Sequence, residues 1–148
     1  MMSDRQHLKD LVWLEVAHTI ARLATCHRLH VGCVLLRADG SVAGTGYNGS
    51  LPGAPHCDPG LCAPGGPRCL HTRHAERSAL DYSQGPVATA YVTDEPCLRC
   101  CMDLAARGVR RVVFARRYAP PPEEAAARER VILQHEIVWD DGLVSPAP

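Results

Sequence analysis

The 148 residues suffice for one domain with a substantial core and are too few for two. Acidic and basic residues balance at 16 each, and Lys9 is the lone lysine, so no basic field exists to gather a polynucleotide. No apolar run approaches membrane-spanning length and no basic-then-apolar signal pattern opens the chain, so the expectation is a cytoplasmic protein without a membrane partner. Ser3 and Gln6 form a candidate capping box ahead of a helix over about 4–24. Its apolar stripe would be Leu8, Val12, Val16, Ile20 and Leu23, widened by Leu11. Residues 33–36 and 41–43, joined across Asp39-Gly40, read as a hairpin.

Residues 49–70 hold five Pro, five Gly and three Cys without any period. So long a structureless loop in a compact domain needs something to hold it, and its thiols supply the means. A helix is expected from His74 through Tyr82, a strand over 87–93, and a helix from Cys97 to about Arg107, opened by Pro96 and closed by Gly108. Val112 to Phe114 should be a buried strand, 123–134 a helix and Ile137 to Trp139 a last strand. Arg110, Arg111, Arg116 and Arg117 are read as flanking a strand in solvent. The expected whole is one α/β domain over 1–141, with the Cys/Pro/Gly-rich insertion at 49–71 and a flexible tail at 142–148. Its five-stranded mixed sheet lies between helices, and its later strands are parallel, joined by right-handed crossovers.

Eight cysteines in a cytoplasmic chain point to metal rather than disulfides. His74 and Glu76 flank Ala75, and twenty residues separate Glu76 from Cys97, within Pro96-Cys97-Leu98-Arg99-Cys100. One imidazole and two thiolates make three ligands for a tetrahedral zinc, leaving the fourth position to water; three protein ligands point to catalysis and four to a structural site. Cys97 and Cys100, three apart in a first helical turn, face the same way, and a helix N-terminus favours thiolate. Zinc lowers the pKa of water to about 7. Glu76, beside the ligands but not one of them, would move protons between that water, a ring nitrogen and a departing amine. C-x-x-C alone would leave a four-ligand structural zinc open, with Glu76 a plain helix residue.

His-x-Glu followed by Pro-Cys-x-x-Cys is the known signature of the zinc nucleobase deaminases. Further stretches match more narrowly: residues 25–32, Gly46-Tyr47-Asn48-Gly49-Ser50, His56-Cys57 through Cys62 to Cys69, residues 72–76, 91–93, 96–101 and 108–113. Over about residues 12–120 the chain resembles the deoxycytidylate (dCMP) deaminases, especially the bacterial competence-operon and phage type. The resemblance implies a cytidine deaminase-like three-layer α/β/α sandwich and hydrolysis of dCMP to dUMP and ammonia. It gives His74, Cys97 and Cys100 to the catalytic zinc and Glu76 to proton transfer. Asn48, Gly49, Arg28, Ala75 and Tyr118 go to substrate, with Asn48 and Gly49 at the sugar, Arg28 at the 5′-phosphate and Tyr118 lining the pocket.

It also implies a second, structural zinc on Cys26, Cys57, Cys62 and Cys69, with His56 and His71 in reserve; Cys33 and Cys101 are then plain thiols. A homo-oligomer, dimer or hexamer, follows from the same likeness, and dCTP and dTTP with Mg are its candidate effectors. The short linker 83–86 counts against those effectors, and Ser78 and Cys33 depart from the family pattern. Other cytosine nucleotides or nucleosides (5-substituted dCMP, CMP, dCTP, cytidine), a tRNA adenosine deaminase and a zinc-stabilised interaction module are the alternatives. The last is a non-enzyme.

Overall fold

The computed structural model describes residues 3–58, 60, 62, 64, 66 and 69–142. In chain order its elements are α1 (Asp4–Ala21), β1 (Gly32–Leu36), β2 (Val42–Tyr47), α2 (Ala75–Tyr82), β3 (Thr89–Asp94), α3 (Leu98–Ala106), β4 (Arg111–Arg116), α4 (Pro122–Gln134) and β5 (Val138–Asp141). The five strands form one sheet in the order β2-β1-β3-β4-β5. β1 is antiparallel to both neighbours, while β3, β4 and β5 run parallel. The mixed sheet and the parallel later half are as expected. Among the described residues no helix is long and apolar enough to cross a membrane.

The two faces of the sheet follow the period-two alternation of strand side chains. Cys33 and Leu35 of β1, Ala90 and Val92 of β3, and Val112 and Phe114 of β4 point to one side, where they meet α2, α3 and Ile132 of α4. Val34, Leu36, Tyr91, Val113 and Ala115 point to the other and meet Leu14 and Ala17 of α1. Helices therefore cover both faces and the sandwich has three layers.

α1 corrects the sequence reading twice. It ends at Ala21, short of 24, and much of its expected apolar stripe faces outward: Leu8, Leu11, Val12 and Leu23 are exposed, Ile20 is half-buried, and Val16 alone of the stripe packs on the core. Buried instead are Asp10, Leu14, Ala17 and Ala21. The reason is close approach. A Cβ on Gly32 would lie 1.9 Å from the Ala17 carbonyl oxygen, so small residues, not large ones, must face β1. The capping box is half made: Ser3 Oγ accepts the Gln6 N–H at 3.1 Å, but the Gln6 side chain donates to Asp10 Oδ1 at 3.0 Å.

Of the arginines read as solvated, Arg110, Arg116 and Arg117 are exposed as expected, and Arg111 is the correction. Arg111 forms a bidentate pair with buried Asp10 (2.8 and 2.6 Å) and also reaches Asp140 at 3.0 Å. Burial pushes the Asp10 carboxyl up, but hydrogen bonds from Arg111, Tyr91 and Gln6 outweigh it and hold the carboxyl below its ordinary value. Arg116 pairs with Asp94 through two contacts of 2.9 Å. At the C-terminal side, Gly142 is buried and donates to Phe114 O at 2.8 Å, while residues 143–148, read as a flexible tail, lie outside the described residues.

Candidate metal centre and substrate cavity

One edge of the sheet collects the site. β3 and β4 end there; β1 begins there, antiparallel to β3, and β2 ends beside it. The chain beyond each strand end therefore reaches the same place, as open α/β sheets tend to arrange. β3 runs through Glu95 and Pro96 into α3, and α2 starts against β2. β2 also extends further than expected, to Tyr47. Its Gly46 lets α2 lie on the strand, because a Cβ there would stand 2.4 Å from both Ala75 O and Ala79 N.

His74 is the N-cap of α2, and Cys97 is the N-cap of α3 with Cys100 in the first turn; neither cap uses its side chain to cap the helix. His74 Nδ1 lies 3.3 Å from Cys100 Sγ and 3.6 Å from Cys97 Sγ, and the three ligand atoms fall within 4.8 Å of one another. Hydrogen bonding from Cys100, then from His74, holds the Cys97 thiol down at about 3 against its burial. The same contact with Cys97 pushes Cys100 upward, as burial does. The two thiols thus compete for one proton. A soft divalent cation would remove that competition, and one imidazole with two thiolates is a zinc donor set.

Glu76, in the first turn of α2, is 4% exposed. Burial raises its carboxyl to about 7, with Cys97 adding to the rise and His74 opposing it. Cys33, buried in the core behind it, and Cys101 are plain interior thiols whose burial raises both.

These residues open onto a cavity of about 290 Å³ whose wall includes His74, Ala75, Glu76, Cys97, Asn48 and Arg28, with Tyr118 and Arg117. Asn48 is buried, its Oδ1 accepting Val31 N–H and its Nδ2 donating to Leu29 O, both at 2.7 Å. It thus latches the segment that carries Arg28. An amide has two lone pairs and two N–H groups, so each end keeps one further bonding position. Arg28 donates from Nε to Gly66 O at 3.0 Å. Gly49 does not line the cavity; it is bridged to Arg73 by hydrogen bonds of 3.2 and 2.8 Å. Ser78 is half-buried within α2, its N–H donating to His74 O.

Three charged wall residues escaped the sequence reading: Arg117, Asp94 and Glu95. Glu95 and Asp94 adjoin the Pro-Cys motif, which was the available signal; nothing local distinguishes Arg117 from the other arginines of its run.

Cys26, Cys57, Cys62 and Cys69 form a second group, all four sulfurs within 4.8 Å of one another. The closest pairs, Cys26 with Cys62 and Cys57 with Cys69, stand at 3.6 Å, and every cysteine is free. The Cys69 thiol is lowered to about 7, first by the Thr72 hydroxyl and then by the His71 backbone N–H. Burial raises Cys26, but the Leu29 N–H, the Thr72 hydroxyl and the Arg28 N–H prevail. Burial, then the neighbouring Cys26, raises the Cys62 thiol to about 11. Four sulfurs this close together fit the donor set of a closed tetrahedral zinc. His56 and His71 are exposed and lie outside the group. Cys26 and Cys69 also touch the cavity, so the two clusters share a wall.

The family described as the cytidine and deoxycytidylate deaminase zinc-binding region matches residues 8–116. ComE operon protein 2 of Bacillus subtilis is 38% identical over 111 residues, covering 72% of this chain and 58% of that protein. Deoxycytidylate deaminase of Mycobacterium phage D29 is 38% identical over 120 residues, covering 71% of this chain and 92% of the phage protein. Among solved structures, the cyanophage S-TIM5 dCMP deaminase in complex with dCMP and dUMP superposes with a TM-score of 0.73 over 95% of this chain and 100% of that one. At 22% identity that likeness is one of fold. The chain belongs to the cytidine and deoxycytidylate deaminase family of zinc-binding enzymes.

Proposed function

We propose that the protein is a zinc-dependent hydrolytic deaminase that converts dCMP and water to dUMP and ammonia. The observation that carries the reading is the cluster of His74, Cys97 and Cys100 beside a cavity whose wall also holds buried Glu76 and two arginines. His74, Cys97 and Cys100 would hold the catalytic zinc, which when bound supplies a Lewis acid that activates water at neutral pH. Glu76, outside the ligand set, takes one proton from the attacking water and delivers it to the ring nitrogen; it then takes the second from the hydroxyl now on the ring carbon and passes it to the amine, which leaves as ammonia while the carbonyl forms. Ala75, the small residue between His74 and Glu76, leaves the base room over the end of α2. Asn48, with its two remaining bonding positions, faces the sugar. Gly49 supports it from behind the wall.

Arg28 and Arg117 on the cavity wall favour a phosphate monoester over a bare nucleoside, and Tyr118 closes the wall beside them. The dCMP and dUMP of the cyanophage complex, and the name of the phage relative, support the same substrate. On this reading residues 1–141 are one deaminase domain, with the insertion at 49–71 held by a structural zinc on Cys26, Cys57, Cys62 and Cys69. It works in the cytoplasm as a homo-oligomer, a dimer or hexamer, which the outward-facing Leu8, Leu11 and Val12 support. Regulation by dCTP and dTTP with Mg belongs to the same proposal.

A substrate panel tests it. Ammonia release is expected from dCMP well above CMP, dCTP, cytidine and a tRNA hairpin. A preference for the hairpin, or for cytidine over dCMP, would overturn the substrate.

A further inference from the structure

Glu95 stands between the last residue of β3 and Pro96, with its side chain turned inward. Its carboxylate takes three hydrogen bonds. Oε1 accepts the Tyr118 backbone N–H at 2.9 Å; Oε2 accepts the Trp139 indole N–H at 2.8 Å and Arg128 Nη2 at 3.1 Å. Arg128 extends the junction, donating from Nη1 to Pro96 O at 2.9 Å and lying 5.6 Å over the Trp139 ring. One carboxylate thus joins the loop after β4, α4 and β5 to the peptide that carries Cys97. All three donors lie beyond residue 116, where the family match ends.

Tyr118 is a cavity-wall residue on an exposed stretch: Arg116, Arg117, Tyr118 and Ala119 all face solvent. Its position against a ligand is therefore set by how its backbone is held: Glu95 takes its N–H, and Arg128, itself paired with Glu95, reaches its carbonyl at a longer 3.5 Å. A carboxylate suits this place because every partner is a donor. A glutamine side chain would have the same shape, but whichever way its amide turned, its NH₂ would face either Tyr118 N–H or the Trp139 and Arg128 donors.

We infer that Glu95 is a positioning residue, which fixes Tyr118 as the wall against which the nucleotide binds. The inference rests on the deaminase reading above. It acts on binding more than on chemistry, because Glu76 and the three metal ligands sit on α2 and α3 and do not depend on Tyr118.

The test is Glu95→Gln in the zinc-loaded full chain, with Trp139→Phe, which removes one donor and keeps the Tyr118 bond, as the comparison. Zinc content, KM and kcat for dCMP, and hydrogen exchange at the Tyr118 amide are read on each. Glu95→Gln is expected to keep its zinc, raise KM about tenfold and exchange the Tyr118 amide about tenfold faster, with kcat within about threefold of the parent. Trp139→Phe should keep KM near the parent value. Unchanged KM with unchanged Tyr118 protection in an active Glu95→Gln protein would overturn the inference, as would a fall in kcat at constant KM. Should Glu95→Gln not fold, Glu95→Asp, whose carboxylate is one methylene too short to reach the Tyr118 N–H, carries the same measurements: raised KM with faster Tyr118 exchange supports the inference, and parent values of both overturn it. Absence of ammonia release from the parent protein would instead count against the deaminase reading itself, so the two failures are distinguishable.

Discussion

Arg28 and Arg117 face the same cavity with different commitments. Arg28 spends its Nε on Gly66 O, whereas Arg117 Nε lies 3.4 Å from Asp141 Oδ2 and its guanidinium 5.8 Å over the Phe114 ring. Both line the cavity where the proposed phosphate would bind. Arg117→Ala is expected to raise KM for dCMP by about tenfold and leave KM for deoxycytidine unchanged, since each charge-assisted pair contributes about 1.5 kcal/mol or more. Steady-state kinetics on the two substrates checks this; equal effects on both would place the phosphate elsewhere. At this scale the residues proposed for metal binding and proton transfer were legible in the chain because each sits within three residues of its partner, on a helix N-terminus marked by His-x-Glu or Pro-Cys. Arg117 and Glu95 were not, because their roles depend on partners tens of residues away.

At the scale of elements, the approach of α2 to β2 decides where His74 and Glu76 stand. Gly46→Ala would drive a methyl into the α2 backbone, for which no side-chain rotation can compensate. The expected loss is about 1–3 kcal/mol of stability, as for overpacking elsewhere, together with a fall in kcat as the start of α2 is displaced. Denaturant unfolding and turnover measured on one preparation check both; a variant with parent stability would contradict the packing described for β2. The insertion makes a separate prediction. Metal analysis should find two zinc per chain, falling to one in Cys57→Ser with loss of order in the insertion. One zinc in the parent chain would remove the second site. The element order was legible from periodicity and breakers, but the face of α1 was not. Its large apolar residues suggested one side, and the need for Ala17 and Ala21 against Gly32 selected another.

At the scale of the whole molecule, Asp10 near the N-terminus and Arg111 on β4, 101 residues apart, tie the α1 layer to the sheet. Removing one member of such a buried pair is expected to cost roughly 3–5 kcal/mol, so Asp10→Asn should be destabilised by that order at neutral pH. The folded-state pKa of Asp10 lies below its ordinary 3.8, so the stabilisation is complete above that value and is lost as pH falls through the lower folded value. The gap between parent and Asp10→Asn, followed by urea unfolding, should hold from pH 7 to about 4 and narrow below; a gap under about 1 kcal/mol at pH 7 would contradict the role given to the pair. No local pattern reveals this pairing; a buried aspartate in a helix reads as a surface residue until the fold is known. The central claim is that buried Glu76 beside a three-ligand zinc moves the protons of deamination. Its most direct test is ammonia release from dCMP by Glu76→Gln, with zinc measured on the same sample. The account predicts parent zinc content and turnover reduced by roughly 10²–10⁴-fold or more. Turnover near the parent value in the zinc-loaded variant would contradict it.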